Sequence, residues 1–476
     1  MTRTRLDGLN LVLLGSLVFL LLGIALERSA PAPLVDFRVV YYPARCLIQH
    51  CDPYMGSEVR RIYEAEGGYR PLDSAKVGQI VTQNVYPPSA LFLMAPFAML
   101  PWGPVHILWI ALTAGSFILA SLLIWNLGAD YAPIVSGVLV GFLLANSESL
   151  LITGNAAVIA ISLCVAAVWC FLRERFVPVG ILCLAVSLGL KPHDAGLVWL
   201  YFLLVPGAYR KRALQTLAVT IAISVLAVLW VGHVAPQWMH EWHSNVSALS
   251  VHGGLMDPGP ASTGSHGLDM LVSLQAVMSV FRDDPRFYNL ASYLVCAPLV
   301  LAWGLVTLRT RPSARRAWLA LAAIAALAML PVYHRQVDAR LLLLTVPACA
   351  MLWAQGGRIG RVALAVTSAG LVLTGDIPWV IFLGLIGKLH LPATALTGQM
   401  LMAVQVFPAP LILLVMGIFY LWVYVSRSSA SAVPAESGSY RETPIVPTLP
   451  DSGLNLRRPL DRLIPSLPDV PDRKRD

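Results

Sequence analysis

Long uninterrupted apolar runs, separated by short polar punctuation, set the pattern of this chain. The first covers residues 9–26, and others follow at 105–127, 132–144, 155–172, 177–190, 195–205 and 213–231. Apolar residues within each run are consecutive rather than alternating. That predicts buried helices and not barrel strands, whose side chains alternate with a period of two. A helix needs about 20 apolar residues to cross a hydrocarbon core, and several runs approach that length. The expected fold class is therefore all-α: a polytopic integral membrane protein with about 10–13 transmembrane or re-entrant helices and large external loops.

Two features break the rhythm. The segment "NVYPPSALFLMAPFAMLPW" holds only about fifteen apolar residues and is framed by prolines, short for a crossing. Two long polar stretches, about residues 29–84 and 233–288, read as external loops. After Val425 the chain turns to Ser, Pro, Arg and Asp and ends "DVPDRKRD". Such a composition cannot bury enough apolar surface to fold alone. The expected organisation is a membrane domain over 1–426 and a disordered cytoplasmic tail over 427–476.

Composition agrees. Only 13% of the 476 residues are charged and 57% are hydrophobic, where a soluble protein keeps about a quarter charged. The formal net charge of +8 does not call for nucleic acid as a partner. Its basic clusters, "RER" at Arg173, "YRKR" at Tyr209, "RTRPSARR" at Arg309 and "GGRIGR" at Gly356, each sit in a short loop between runs, as cytoplasmic loops do. The first run is long for a signal-peptide core of about 7–15 residues, so it reads as an uncleaved helix with its basic start inside. If every run crossed, "RER" would lie outside. Treating the short proline-framed segment as re-entrant restores it to the inside. No Walker-type phosphate loop or internal repeat is found, so ATP-driven transport has no support.

With that topology, an informative polar set falls on the external side. Asp36, Tyr41, Tyr42 and Arg45 follow the first helix. Asn84 and Tyr86 close the first loop, and Glu148 and Asn155 flank "SLLITG". Lys191, His193 and Asp194 sit between two short apolar stretches, and His334, Arg335, Asp338 and Arg340 between two later helices. Ionisable groups at membrane depth are costly and face a cavity or a partner, so four such turns predict one shared polar site. Blander roles stand beside this one. Asp36 could cap a helix, Lys191 could be an interfacial anchor, Arg335 and Arg340 could pair with Asp338, and His334 could be merely hydrogen-bonded.

Metal chemistry is not expected. "HEWH" spaces His240 and His243 one helical turn apart, with no third ligand fixed by spacing. Asp283 and Asp284 in "RDDPRFYN" could take a divalent cation with a phosphate, but an acidic pair also starts helices. Five cysteines lie in apolar runs as small core residues. Cys46 and Cys51 flank "LIQH" in the first external loop, where a disulfide is open to them in an oxidising compartment.

These words, in order, resemble glycosyltransferase family 87, a branch of the GT-C-fold enzymes that includes bacterial mannosyltransferases. "DFRVVYYPARCLIQHCDPY" is similar to its Asp-Phe, paired-aromatic and Asp-Pro-Tyr elements, "VYPPSALFLMAPFAMLP" to its Tyr-Pro-Pro segment, and "LGLKPHDAGLVWLYFLL" to its Lys-Pro element. "ITGNAAVIAISL" is similar to its Gly-Gln-x-Asn element, with Asn155 at the glutamine step. The resemblance spans roughly residues 9–353. It implies transfer of a sugar, mannose first and arabinose second, from a polyprenyl-phosphate donor to a glycolipid or cell-envelope glycan on the external face of a bacterial inner membrane.

An acceptor hydroxyl needs a base, and Asp36 is the candidate. A departing lipid phosphate needs cations, and Arg45, Lys191, Arg335 and Arg340 are the candidates, with His334 placed to donate to it. Tyr41, Tyr42, Asn84, Tyr86, Asn155 and His193 are candidate substrate-binding residues. No cofactor is implied. The competing class is a non-enzymatic transporter or flippase of lipid-linked sugars.

Overall fold

Helix α1, Arg3–Ser29, extends past its apolar run at both ends and rises about 40 Å, enough to cross a bilayer. The computed structural model describes residues 2–66, 75–260, 271–386 and 396–429. Among these the chain is helical throughout, with one isolated bridge between Leu271 and Arg335. The tail expected after residue 427 lies outside the described residues from 430 onward, and residues 427–429 continue the last helix.

The stretch read as a first open loop is folded. It holds α2 (Val35–Ile48), α3 (Gly56–Ala65) and α4 (Ala75–Thr82). With the proline-framed α5 (Pro88–Ala98) they enclose a core of their own, including Phe37, Tyr41, Tyr42, Tyr54, Tyr63, Leu91 and Trp109. Composition concealed this because the apolar positions here recur on one face of short amphipathic helices and never form a run. Cys46 and Cys51 form a disulfide at the end of α2. Helix α5 does not continue as a crossing: Pro101 precedes α6 (Trp102–Gly128), and the Ser89 hydroxyl donates to the Gly189 carbonyl at 2.8 Å.

The chain continues through α7 (Pro133–Leu144), the single turn-and-a-half α8 (Ser149–Thr153), α9 (Ala157–Leu172), α10 (Val177–Leu190), α11 (Pro192–Leu204) and α12 (Ala208–Val234). The second long polar stretch also carries helices, α13 (Trp238–Ser250) and α14 (Leu274–Ser279), before α15 (Pro285–Arg309) and α16 (Ala314–Leu327). A 3₁₀ helix, Gln336–Thr345, runs into α17 (Val346–Ala354). Then come α18 (Gly357–Leu373), α19 (Asp376–Ile386), α20 (Leu396–Val406) and α21 (Pro408–Ser429).

Seven helical segments among the described residues are long and apolar enough to cross a membrane, and α18 with the start of α19 forms a further pair bent by 73°. Helices α5, α9 and α10 are shorter and apolar. Helix α16 is apolar around its whole circumference from Ala317 onward and is buried there, as is the 3₁₀ segment; these form the centre. The outer helices turn leucines outward instead: Leu13, Leu14, Leu17 and Leu21 of α1 are 49–62% exposed, a face suited to lipid.

Polar pairs fix the relative order of the turns. Asp130 accepts Arg5 at 2.5 Å through Oδ1 and Arg173 at 2.5 Å through Oδ2. Arg212 reaches Glu174 at 3.2 Å and the Phe171 carbonyl at 2.9 Å. The start of α1, "RER" and "YRKR" therefore share one face, as the re-entrant treatment of α5 requires.

Helices α1 and α7 approach backbone to backbone, with Gly8 and Gly15 facing Gly137 and Gly141. Lipid tails are as apolar as leucine, so close packing of small residues supplies helix contact in a membrane. A Cβ on Gly141 would lie 2.5 Å from the Leu11 carbonyl oxygen. Gly141→Leu is expected to abolish recovery of monodisperse protein in detergent, read by size-exclusion chromatography and melting. Gly115→Leu, which meets open space, should behave as wild type.

Candidate active site

The site begins where α8 ends. Gly154 takes φ +64° as the C-terminal cap of α8, and a Cβ there would sit 2.7 Å from Leu34 Cδ2 and 3.1 Å from Phe37 Cβ. Leu34, itself left-handed, donates its amide to the Ile152 carbonyl at 2.7 Å. The Trp109 indole donates to the Gly154 carbonyl at 2.8 Å. These contacts seat the first turn of α2, which carries Asp36, on the turn that carries Asn155. The Asn155 amide donates to Asp36 Oδ2 at 2.8 Å, while its own oxygen accepts the Ala157 amide at 2.9 Å. Asn155 is thus held at one end by the start of α9 and orients the aspartate with the other. Gly154→Val would impose a left-handed β-branched residue costing about 1–3 kcal/mol and a clash with Leu34. The expected result is a lower melting temperature and at least a tenfold loss of activity.

The second half comes from the Lys-Pro turn. Pro192 bars Lys191 from helical backbone, so α10 stops and α11 starts afresh. Lys191 Nζ lies 2.8 Å from Asp338 Oδ1 and 3.7 Å from Asp194 Oδ2. Burial opposes the ammonium charge, but the carboxylates of Asp194 and Asp338 outweigh it and raise the pKa, so Lys191 stays charged. Asp338 Oδ2 accepts the Arg335 backbone amide at 2.8 Å, which caps the 3₁₀ helix. The His334 Nδ1 donates to the Val332 carbonyl at 3.1 Å. Its Nε2 stands 3.5 Å from Asp194 Oδ1, and His193 Nε2 stands 3.6 Å from the same oxygen. The two rings meet edge to face at 5.1 Å.

Tyr86 lies within electrostatic reach of both halves. Its pKa is pushed up to about 12, first by burial and then by the balance of Lys191 against Asp36, Asp338 and Asp194. Its hydroxyl therefore sits in the field of all four charges. Beside the start of α2, a groove between α1 and α6 is lined by Ile24, Glu27, Arg28, Pro33, His106 and Ile110, with Glu27 and His106 paired at 2.7 Å.

Several residues expected at the site are elsewhere. Tyr41 and Tyr42 are fully buried among Phe37, Tyr63 and Trp102, and the Tyr41 hydroxyl donates to the Leu100 carbonyl at 2.8 Å. They are core and offer no ring face to a sugar. Asn84 is also buried: it donates to the Pro53 carbonyl at 3.3 Å and accepts the Tyr86 amide at 3.0 Å, shaping the turn that presents Tyr86. Arg45 ties α2 to α3 and α5, through Glu66 at 2.8 Å and the Ala98 carbonyl at 2.8 Å. Arg340 is buried with Asp376 at 2.7 Å and the Thr374 carbonyl at 2.8 Å. Arg335 engages the Tyr333 hydroxyl at 2.8 Å. Asp338 thus answers Lys191 rather than the two arginine side chains.

Asp284 caps α15 and pairs with Arg282 at 2.9 Å, whereas Asp283 faces His252 at 3.7 Å. The two carboxylates serve different neighbours. His240 and His243 are exposed on α13. Sequence reasoning missed Asp376, whose signal was a lone carboxylate in "TGDIPWVIFL", and buried Arg38, which stacks over Trp102 at 5.3 Å two residues after Asp36.

The fold and site define a multi-pass helical membrane protein that collects a carboxylate and a buried cation–carboxylate cluster on the face opposite its basic turns. Residues 84–332, just over half of the chain, match the family model described as Glycosyltransferase family 87. The chain belongs to that family and is a membrane glycosyltransferase. The match contains Tyr86, Asn155 and Lys191 and ends two residues before His334; Asp36 lies outside it, on α2. No curated protein and no solved structure matches the chain.

Proposed function

We propose that this enzyme transfers a sugar from a polyprenyl-phosphate donor, mannose first and arabinose second, to a glycolipid or cell-envelope glycan, with Asp36 as base. The observations that carry this reading are the family match, Asp36 held by the Asn155 amide at 2.8 Å, and Lys191 buried beside Asp338 and Asp194. Asp36 takes the acceptor hydroxyl proton. The acceptor oxygen bonds to the anomeric carbon as the carbon–oxygen bond to phosphate breaks. The phosphate leaves with the electron pair toward the end of the site that holds Lys191, His193 and His334, where the Lys191 ammonium is a group of the kind that stabilises such a charge. The groove by Pro33, with isoleucines beside Arg28 and His106, has the amphipathic lining that a lipid tail and its phosphate need.

The site is assigned to the external side of a bacterial inner membrane, with both termini cytoplasmic. Two observations support this: the disulfide on the site's side of the fold, and the basic turns on the other. The test is transfer by purified protein in liposomes from radiolabelled polyprenyl-phosphate mannose or arabinose to added envelope glycolipids. A labelled glycolipid is expected. Labelling only from nucleotide sugars would sink the donor assignment, and movement of donor across the bilayer with no glycosidic product would point to a flippase.

A further inference from the structure

We propose that His193, Asp194 and His334 bind a divalent transition-metal cation of the zinc class. Their three ligand atoms lie within 4.8 Å of one another. The two imidazole nitrogens flank one carboxylate oxygen at 3.6 and 3.5 Å. Ligands bound at about 2.0–2.1 Å around a tetrahedral ion stand about 3.3–3.4 Å apart. The side chains need shift only slightly to close on an ion.

The hydrogen bonds point the same way. A carbonyl oxygen only accepts, so His334 Nδ1 carries the proton it gives to Val332. This is the usual second contact of a metal-binding histidine, and it turns Nε2 toward the ligand. That Nε2 is 1% exposed on its side chain and makes no hydrogen bond, and neither does Asp194 Oδ2. In the neutral ring a lone pair faces a carboxylate lone pair across 3.5 Å. A proton on Nε2 or a cation between the two atoms removes the conflict, and equilibration with zinc separates the two.

Charge and access also fit. Lys191 lies beside the carboxylates of Asp194 and Asp338, and a divalent ion would add positive charge where a phosphate is proposed to leave. Lys191 approaches Asp194 through Oδ2, leaving Oδ1 to the ion. His193 is 42% exposed on its side chain, so the open side of a three-ligand shell faces outward, as in sites that bind a substrate atom. Resting on the donor assignment above, that open position would take a phosphate oxygen of the leaving group.

The experiment uses full-length protein purified without a polyhistidine tag, equilibrated with zinc and assayed by elemental analysis, with cobalt as a visible-absorption probe of the same site. Wild type is expected to hold about one zinc per chain and to show tetrahedral cobalt bands. His193→Ala should bind at least tenfold more weakly at an unchanged melting temperature, and His240→Ala should bind as wild type. Wild type without zinc, or His193→Ala with as much zinc as wild type, overturns the proposal. Zinc bound in a protein that transfers no sugar from polyprenyl phosphate supports the metal site and removes the donor assignment. A protein that stays zinc-free after equilibration and still transfers sugar overturns the metal site and leaves the donor assignment standing.

Discussion

Asp36→Asn is expected to lower the rate of sugar transfer by about 10²–10⁴-fold, the range that a positioned general base contributes, with little change in melting temperature. The substitution keeps the shape of the side chain and an oxygen that still accepts the Asn155 amide, so the seat built by Gly154, Leu34 and Trp109 survives. What it removes is the capacity to take a proton. Because the acceptor still binds, the loss should fall on kcat with KM near wild type. Asn155→Ala is the companion: the base remains but loses its orienting donor, and a smaller loss of about tenfold is expected. An Asp36→Asn enzyme as fast as wild type would show that the proton leaves by another route.

The membrane architecture was legible because long apolar runs leave one physical solution, and the charge rule ordered them. The pairs of Asp130 with Arg5 and Arg173 put the start of α1 and "RER" on one side, as assigned. The cap was not legible. Its helices α2 to α4 bury aromatic residues on one face of short segments, and a polar average hides them; the same average made Tyr41 and Tyr42 look like surface rings.

At the site, the Lys-Pro and Asp-Phe words marked the right turns because proline and the end of a crossing constrain the backbone locally. Partner choice among charges 36 and 147 positions apart is a matter of packing, and sequence could not assign it. Arg340 found Asp376 and Asp338 found Lys191, opposite to the local pairing expected of "YHRQVDAR". Asn155 at the Gly-Gln-x-Asn step had no visible partner until α8 brought it to Asp36.

Lys191→Met should destabilise the protein by about 3–5 kcal/mol, the cost of leaving a buried charge uncompensated. Two carboxylates, Asp194 and Asp338, lose their common counter-ion in a place where their side chains are 2% and 4% exposed. Asp338→Asn alone should also destabilise, because Lys191 is left with only the more distant Asp194 at 3.7 Å. Combining the two replaces the closer ion pair by neutral groups, and the part of the loss due to Asp338 should return, a coupling of at least about 1.5 kcal/mol between sites in contact, while Asp194 still lacks the lysine. Stability is read by thermal melting in detergent and transfer is measured on the same samples. If Lys191 served only to neutralise Asp338, the double variant would regain transfer along with its fold. On the proposed role of Lys191 at the departing phosphate, the double variant should be folded and still at least a hundredfold slower than wild type. Recovery of both together would make the pair structural and move the phosphate site away from Lys191.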